Sequence, residues 1–91
     1  MAELRKEFTI VNRLGLHARA SAELVKLTNS FVARVTLTKG AMTVDGKSIL
    51  GIMSLAAGQG TRIIVHCEGN DCTAAMDAIG ELIKNCFGEG E

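Results

Sequence analysis

Two spacings of apolar residues alternate along this chain, and each change of spacing marks an element. Glu7-Phe8-Thr9-Ile10-Val11 alternates with Phe8 and Ile10 on one face, and its aromatic and β-branched residues suit a strand. Asn12, Arg13 and Gly15 break that pattern. From Ala18 onward, Ala20, Leu24 and Leu27 return at helical spacing while Glu23 and Lys26 fall elsewhere on the surface, which predicts a helix. Alternation resumes over Phe31–Thr38, with Phe31, Ala33, Val35 and Leu37 on one face and Arg34, Thr36 and Thr38 on the other. Lys39-Gly40 then turns the chain into a short strand, Met42-Thr43-Val44, giving a hairpin with one apolar face.

The second half repeats the scheme. Asp45-Gly46 is a turn, and Ser48 suits the N-cap of a short helix over Ile49–Leu55 that Gly51 weakens. Thr61–Cys67 predicts a strand in which Ile63, Val65 and Cys67 face inward and Arg62, Ile64 and His66 face the other way. Asn70-Asp71 offers a cap for a closing helix, whose stripe Ala75, Ile79, Leu82, Ile83 and Cys86 runs nearly to Gly88. The order βαββαβα predicts an α+β open-faced sandwich, with three helices on one face of a four-stranded, mainly antiparallel sheet. No linker, repeat or low-complexity segment divides it, so residues 1–91 read as a single domain.

Composition narrows the function classes. The chain is 47% hydrophobic and 22% charged, as a folded globule requires. Its formal net charge of zero and 3% aromatic content argue against broad binding to nucleic acid or to an anionic membrane. The mixed charges of the N-terminus do not resemble a signal peptide, and no segment has the length needed to cross a bilayer, so the expected location is the cytoplasm. Cys67, Cys72 and Cys86 form no C-x-x-C pair and read as reduced thiols, with Cys67 and Cys86 fitting core patterns.

Several motif readings fail on spacing. Gly46-Lys47-Ser48 ends like a phosphate-binding P-loop, yet the first glycine of that motif would fall at Ala41. Gly58-Gln59-Gly60 begins like a dinucleotide fingerprint, but its third glycine would be Ile63. His66 and Cys67 are adjacent in a strand and point to opposite faces, so with Cys72 they do not make a metal site; neither a metal nor a cofactor is expected.

The candidate chemistry lies in Gly15-Leu16-His17-Ala18-Arg19-Ala20-Ser21, which places His17 at or beside the N-cap of the first helix. A helix N-terminus leaves backbone N–H groups without partners and adds roughly half a positive charge, so an anion carried on His17 would meet ready-made donors. A neutral imidazole nitrogen is a nucleophile, and Arg19 supplies a guanidinium from the first turn. The plain alternative is a polar cap beside a surface charge.

Gly15-Leu16-His17-Ala18-Arg19 resembles the phosphorylation motif of the HPr family, the histidine-containing phosphocarriers of the bacterial phosphoenolpyruvate-dependent sugar phosphotransferase system. Lys47-Ser48-Ile49-Leu50-Gly51-Ile52-Met53-Ser54-Leu55 resembles the regulatory-serine segment of the same family, at matching separation. The resemblance implies a non-enzymatic carrier, monomeric, whose His17 takes a phosphoryl group on Nδ1 from enzyme I and passes it to enzyme IIA components. Arg19 would contact the phosphoryl group. Leu16, Ile49, Leu50 and Met53 would supply an adaptable docking patch, although ordinary core packing is the alternative and at least one of Ile49, Leu50 and Met53 is expected to be buried.

Ser48 would be the target of an HPr kinase/phosphorylase, or simply an N-cap. One residue departs from the motif: Ala20 stands where the family usually has proline, which restores a backbone N–H in the first turn. Two other readings remain open. One is a nitrogen-related paralogue with regulatory output; the other is a regulatory module acting through phospho-Ser48, against which His17 counts because such modules lack the histidine.

Overall fold

The computed structural model describes residues 2–90. Its elements are β1 (Glu3–Thr9), α1 (Ala18–Thr28), β2 (Arg34–Lys39), β3 (Met42–Asp45), α2 (Ile49–Ser54), β4 (Arg62–Glu68) and α3 (Cys72–Lys84), followed by a single 3-10 turn at Cys86–Gly88. The four strands form one wholly antiparallel sheet in the order β1-β4-β2-β3. The last strand in the chain therefore sits in the middle, between β1 and β2.

Residues opposite one another in an antiparallel pair share a face, so the register sorts the sheet into two sides. Leu4, Cys67 and Val35 lie in one row, Lys6, Val65, Leu37 and Val44 in the next, and Phe8 opposes Ile63. This is the side the helices cover: Ile63, Val65, Cys67, Val35 and Leu37 are all buried. α1 contributes Ala20, Leu24 and Val25, α2 contributes Ile52, and α3 contributes Ala75, Met76, Ile79 and Ile83. The other side is polar, with rows such as Arg5-His66-Thr36-Asp45. There His66 Nε2 meets Glu3 Oε1 at 2.9 Å, as the outward reading of His66 requires.

β1 starts at Glu3, four residues before the alternating stretch at Glu7. Its charged residues Glu3, Arg5 and Glu7 lie on the open face, and the strand is held by backbone pairing from Glu3↔Glu68 to Thr9↔Arg62. β2 starts later than expected, at Arg34 and not Phe31. The reason is Asp71, whose carboxylate accepts the N–H groups of Val32 and Ala33 at 2.8 Å each. Asp71 occupies the N-cap position of α3 but makes no side-chain bond to that helix. It ties the start of α3 to the approach of β2 instead.

The closing helix is also shorter than its stripe suggests, ending at Lys84 and not near Gly88. Cys86 and Phe87 adopt left-handed backbone, with φ of 56° and 55°. Each such residue costs about 1–2 kcal/mol, while burying Phe87 returns about 1.5–3 kcal/mol. Phe87 takes the core position, at 4% exposure, that the stripe assigned to Cys86, which is only half-buried. The chain thereby turns back toward the N-terminal end of α1.

The N–H bond from Val32, opposed by desolvation and aided by the bond from Ala33, holds the Asp71 carboxyl below its ordinary value of 3.8. A lowered carboxylate stabilises the fold above its ordinary pKa and loses that contribution as pH falls through the lowered value. Asp71→Asn is therefore less stable than wild type at pH 7, and the gap narrows below about pH 4. Denaturant midpoints measured across the acid range check this; a gap independent of pH would contradict it.

Candidate functional site: the histidine at the entrance to the first helix

The segment between β1 and α1 is fastened to the segment before β4. Ile10 N–H bonds Thr61 O at 2.8 Å, and Gly60 N–H bonds Ile10 O at 2.7 Å. Leu16 N–H then bonds Ala57 O at 2.9 Å. Gly15 has φ +67°, and a Cβ there would lie 2.5 Å from Ala57 O and 2.7 Å from Gly58 Cα. Only glycine meets both demands, of conformation and of space. Leu16 is buried, and its carbonyl accepts the Ser21 hydroxyl at 3.1 Å. His17 follows immediately, so its backbone has little freedom.

His17 is the N-cap of α1, with φ −75° and ψ −177°, and its carbonyl accepts the first helical N–H, from Ser21. Its ring is engaged on both nitrogens. Nδ1 accepts the N–H of Arg19 at 3.2 Å, and Nε2 lies 2.6 Å from Glu89 Oε2. A ring nitrogen that accepts an N–H must present a lone pair. Nδ1 is thus unprotonated, and the proton belongs on Nε2, facing the carboxylate. The His17 side chain is 29% exposed, and that of Glu89 10%.

Asn12 completes the arrangement from beneath. It is fully buried, and its Nδ2 donates to Gly15 O at 2.9 Å and to Glu89 Oε1 at 3.0 Å. The Asn12 bond, opposed by desolvation, and then the His17 bond and the nearby charge of Arg19 hold the Glu89 carboxyl below its ordinary value of 4.5. Arg19 is exposed, and with Arg13, Leu14, Gly88 and Glu89 it lines a shallow depression beside the ring.

The placement of the other expected residues is mixed. Ser48 is the N-cap of α2, and its hydroxyl oxygen accepts the Gly51 N–H at 3.0 Å. Leu50 is 80% exposed, and Ile49 and Met53 are exposed as well, so none of the three is in the core; Ile52 and Leu55 fill it instead. Leu16 is the correction. It is 5% exposed and belongs to the core, not to a docking surface, because the Ala57 bond draws it inward. Leu14, exposed beside His17, was absent from the expected patch. Asn12 and Glu89 were missed too.

The Cys67 thiol is poorly placed as a nucleophile. Burial pushes the Cys67 thiol up to about 11, so it is not a thiolate at neutral pH. Among the described residues no three His, Cys, Asp or Glu side chains gather as a metal site, and no helix is long and apolar enough to cross a membrane.

The close approach at Gly15 makes a direct prediction. Gly15→Ala destabilises the domain by about 2 kcal/mol or more, combining a left-handed alanine with the clash against Ala57 O. Thermal or denaturant unfolding measures this, and a change under about 0.5 kcal/mol would contradict it.

Comparison with known proteins agrees with this geometry. The family model described as "PTS HPr component phosphorylation site" matches residues 4–85. The Phosphocarrier protein HPr of Cupriavidus necator is 50% identical over 97% of this chain and 99% of its own. The Phosphocarrier protein NPr of Shewanella violacea is 39% identical over 98% of both chains. Among solved structures, HPr-C-His from Thermoanaerobacter tengcongensis superposes with a TM-score of 0.89 at 38% identity, covering 98% of each chain. A family match spanning both the His17 and the Ser48 segments, relatives aligned nearly end to end and the same four-stranded fold leave one conclusion: the chain belongs to the HPr family of phosphocarriers of the phosphotransferase system.

Proposed function

We propose that this chain accepts a phosphoryl group on Nδ1 of His17 from phosphorylated enzyme I and passes it to sugar-specific enzyme IIA components. One observation carries the reading: Nδ1 presents a lone pair at the N-terminus of α1, while Nε2 is turned to Glu89. In the forward step the Nδ1–P bond forms as the donor's bond to phosphorus breaks, and the Nε2 proton stays in place. The phosphoryl oxygens then meet first-turn N–H groups of α1 and the Arg19 guanidinium. Ala20, at the third helical position, adds an N–H that proline would lack.

Partial exposure suits a relay. A phosphoryl group in a closed pocket would be stabilised but unreachable, whereas this ring lies in a shallow depression with an exposed arginine. Leu14, Ile49, Leu50 and Met53 supply exposed apolar contacts for partners that dock in turn. A second shallow depression runs from His17 and Leu14 to Ala56–Gly58, directly after α2, which links the ring to that helix. The protein would act in the cytoplasm as a monomeric, single-domain carrier and not as a catalyst.

Ser48 is the proposed target of an HPr kinase/phosphorylase. A dianion at the start of α2 would alter the charge and shape of the docking surface. The relative named NPr keeps a nitrogen-related paralogue in view. Incubation with each type of phosphorylated enzyme I separates the two, since labelling by the nitrogen type alone would overturn the sugar-branch reading.

With enzyme I and phosphoenolpyruvate, wild type gains an acid-labile phosphoryl group and His17→Ala gains none; labelling of His17→Ala would refute the assignment. Arg19→Ala slows acceptance by roughly tenfold, as expected for loss of one charge-assisted contact, without lowering the melting temperature. An unchanged rate would remove its role. Ser48→Asp accepts more slowly, while Ser48→Ala loses about 1 kcal/mol of stability from the missing cap but transfers normally. Equal rates for wild type and Ser48→Asp would leave Ser48 as a cap only.

A further inference from the structure

Glu89 lies beyond residues 4–85, the span over which the family model matches, yet its carboxylate makes the shortest contact to the reactive ring. We propose that Glu89 is a positioning residue for His17: held by Asn12, its carboxylate fixes the imidazole in the Nε2–H form and aims Nδ1 at incoming phosphorus. This inference rests on the carrier reading above and deepens it.

Three features of the geometry support it. First, both carboxylate oxygens are used, one by His17 Nε2 and the other by Asn12 Nδ2, so the group is held at two points and not merely nearby. Second, the Asn12 amide cannot be reversed. Its two neighbours, Gly15 O and Glu89 Oε1, are both acceptors, so the NH2 must face them. The same buried side chain thus ties Glu89 to the Gly15 turn that sets the His17 backbone. Third, a simple ion pair with a doubly protonated ring does not fit, because the Arg19 N–H requires a lone pair on Nδ1.

A carboxylate on the far nitrogen orients an imidazole, selects its tautomer and raises the basicity of the other nitrogen. That is the demand of this reaction. In the Nδ1–H form the only ring lone pair would lie on Nε2, turned against the Glu89 carboxylate, while Nδ1 would face the Arg19 N–H donor to donor. The two ring nitrogens point to different sides, so phosphorylation at Nδ1 leaves the Nε2–H to Glu89 contact available. On departure of the phosphoryl group the ring is released as the same neutral tautomer. No proton need be exchanged at Nε2 in either direction.

The tautomer is measurable without any partner protein. In the full chain, unphosphorylated and 15N-labelled at neutral pH, long-range 1H–15N correlations of His17 show a protonated Nε2 and an unprotonated Nδ1. In Glu89→Ala and Glu89→Leu the Nδ1–H share rises several-fold, with the amide spectrum otherwise preserved. With enzyme I and phosphoenolpyruvate, the same variants accept phosphoryl groups at a maximal rate lowered by roughly tenfold, with the KM for the donor unchanged. A wild-type ring in the Nδ1–H form, an unchanged tautomer mixture in both variants, or an unchanged rate in a variant whose tautomer has shifted would each overturn the proposal. Failure of wild type to take up phosphate on His17 would instead remove the carrier reading, and the tautomer measurement would still judge the contact to Glu89.

Discussion

The bond from Leu16 N–H to Ala57 O, with Gly15 pressed against the same segment, is the constraint on which the site depends. It brings the end of the β1–α1 connection against the approach to β4 and buries Leu16. With Leu16 fixed inside, the next residue must emerge at the helix start. The N-cap position then presents Nδ1 to the first-turn amides and Nε2 to the returning C-terminal segment. The position of His17 is largely a matter of where one buried leucine ends and a helix begins.

The chemistry of the site is one of moderation. Its donors are backbone amides and an exposed arginine, and its one carboxylate touches Nε2, the nitrogen turned away from the helix amides. The ring stays partly exposed in a shallow depression, as the proposed relay requires. Rigidity is supplied from below, by Asn12 and Gly15, while adaptable apolar residues lie at the surface around it. Firm support under an open face is what the proposed docking of successive partners would need.

The sequence was most legible where spacing carries the information. Inward and outward faces of β2 and β4, the apolar face of α1 and the caps His17 and Ser48 all follow from local pattern. Boundaries set by distant partners were not legible. β1 reaches back to Glu3 because β4 offers backbone to pair with, and β2 begins late because Asp71 captures two amides from a remote part of the chain. The stripe through Cys86 was misleading, since the helix ends before it and Phe87 enters the core in left-handed backbone. Glu89 was invisible for the same reason: only that reversal brings it to His17. Leu16 looked like a surface contact because a neighbour of a half-exposed cap residue is easily taken for exposed.

The central place of β4 bears on the order of assembly. Among the described residues β1 has no strand neighbour other than β4, and β2 pairs with β3 on one side and with β4 on the other. As the chain emerges in synthesis, only the local β2–β3 hairpin can form early; β1 must wait through both α1 and α2 for its partner. Sheet closure is therefore a long-range event, of the kind that slows folding. The same event draws the His17 loop onto Ala57–Thr61, and the ring contact to Glu89 follows only after the final turn. A nascent chain of this protein cannot assemble the His17 arrangement until nearly all of it has been made.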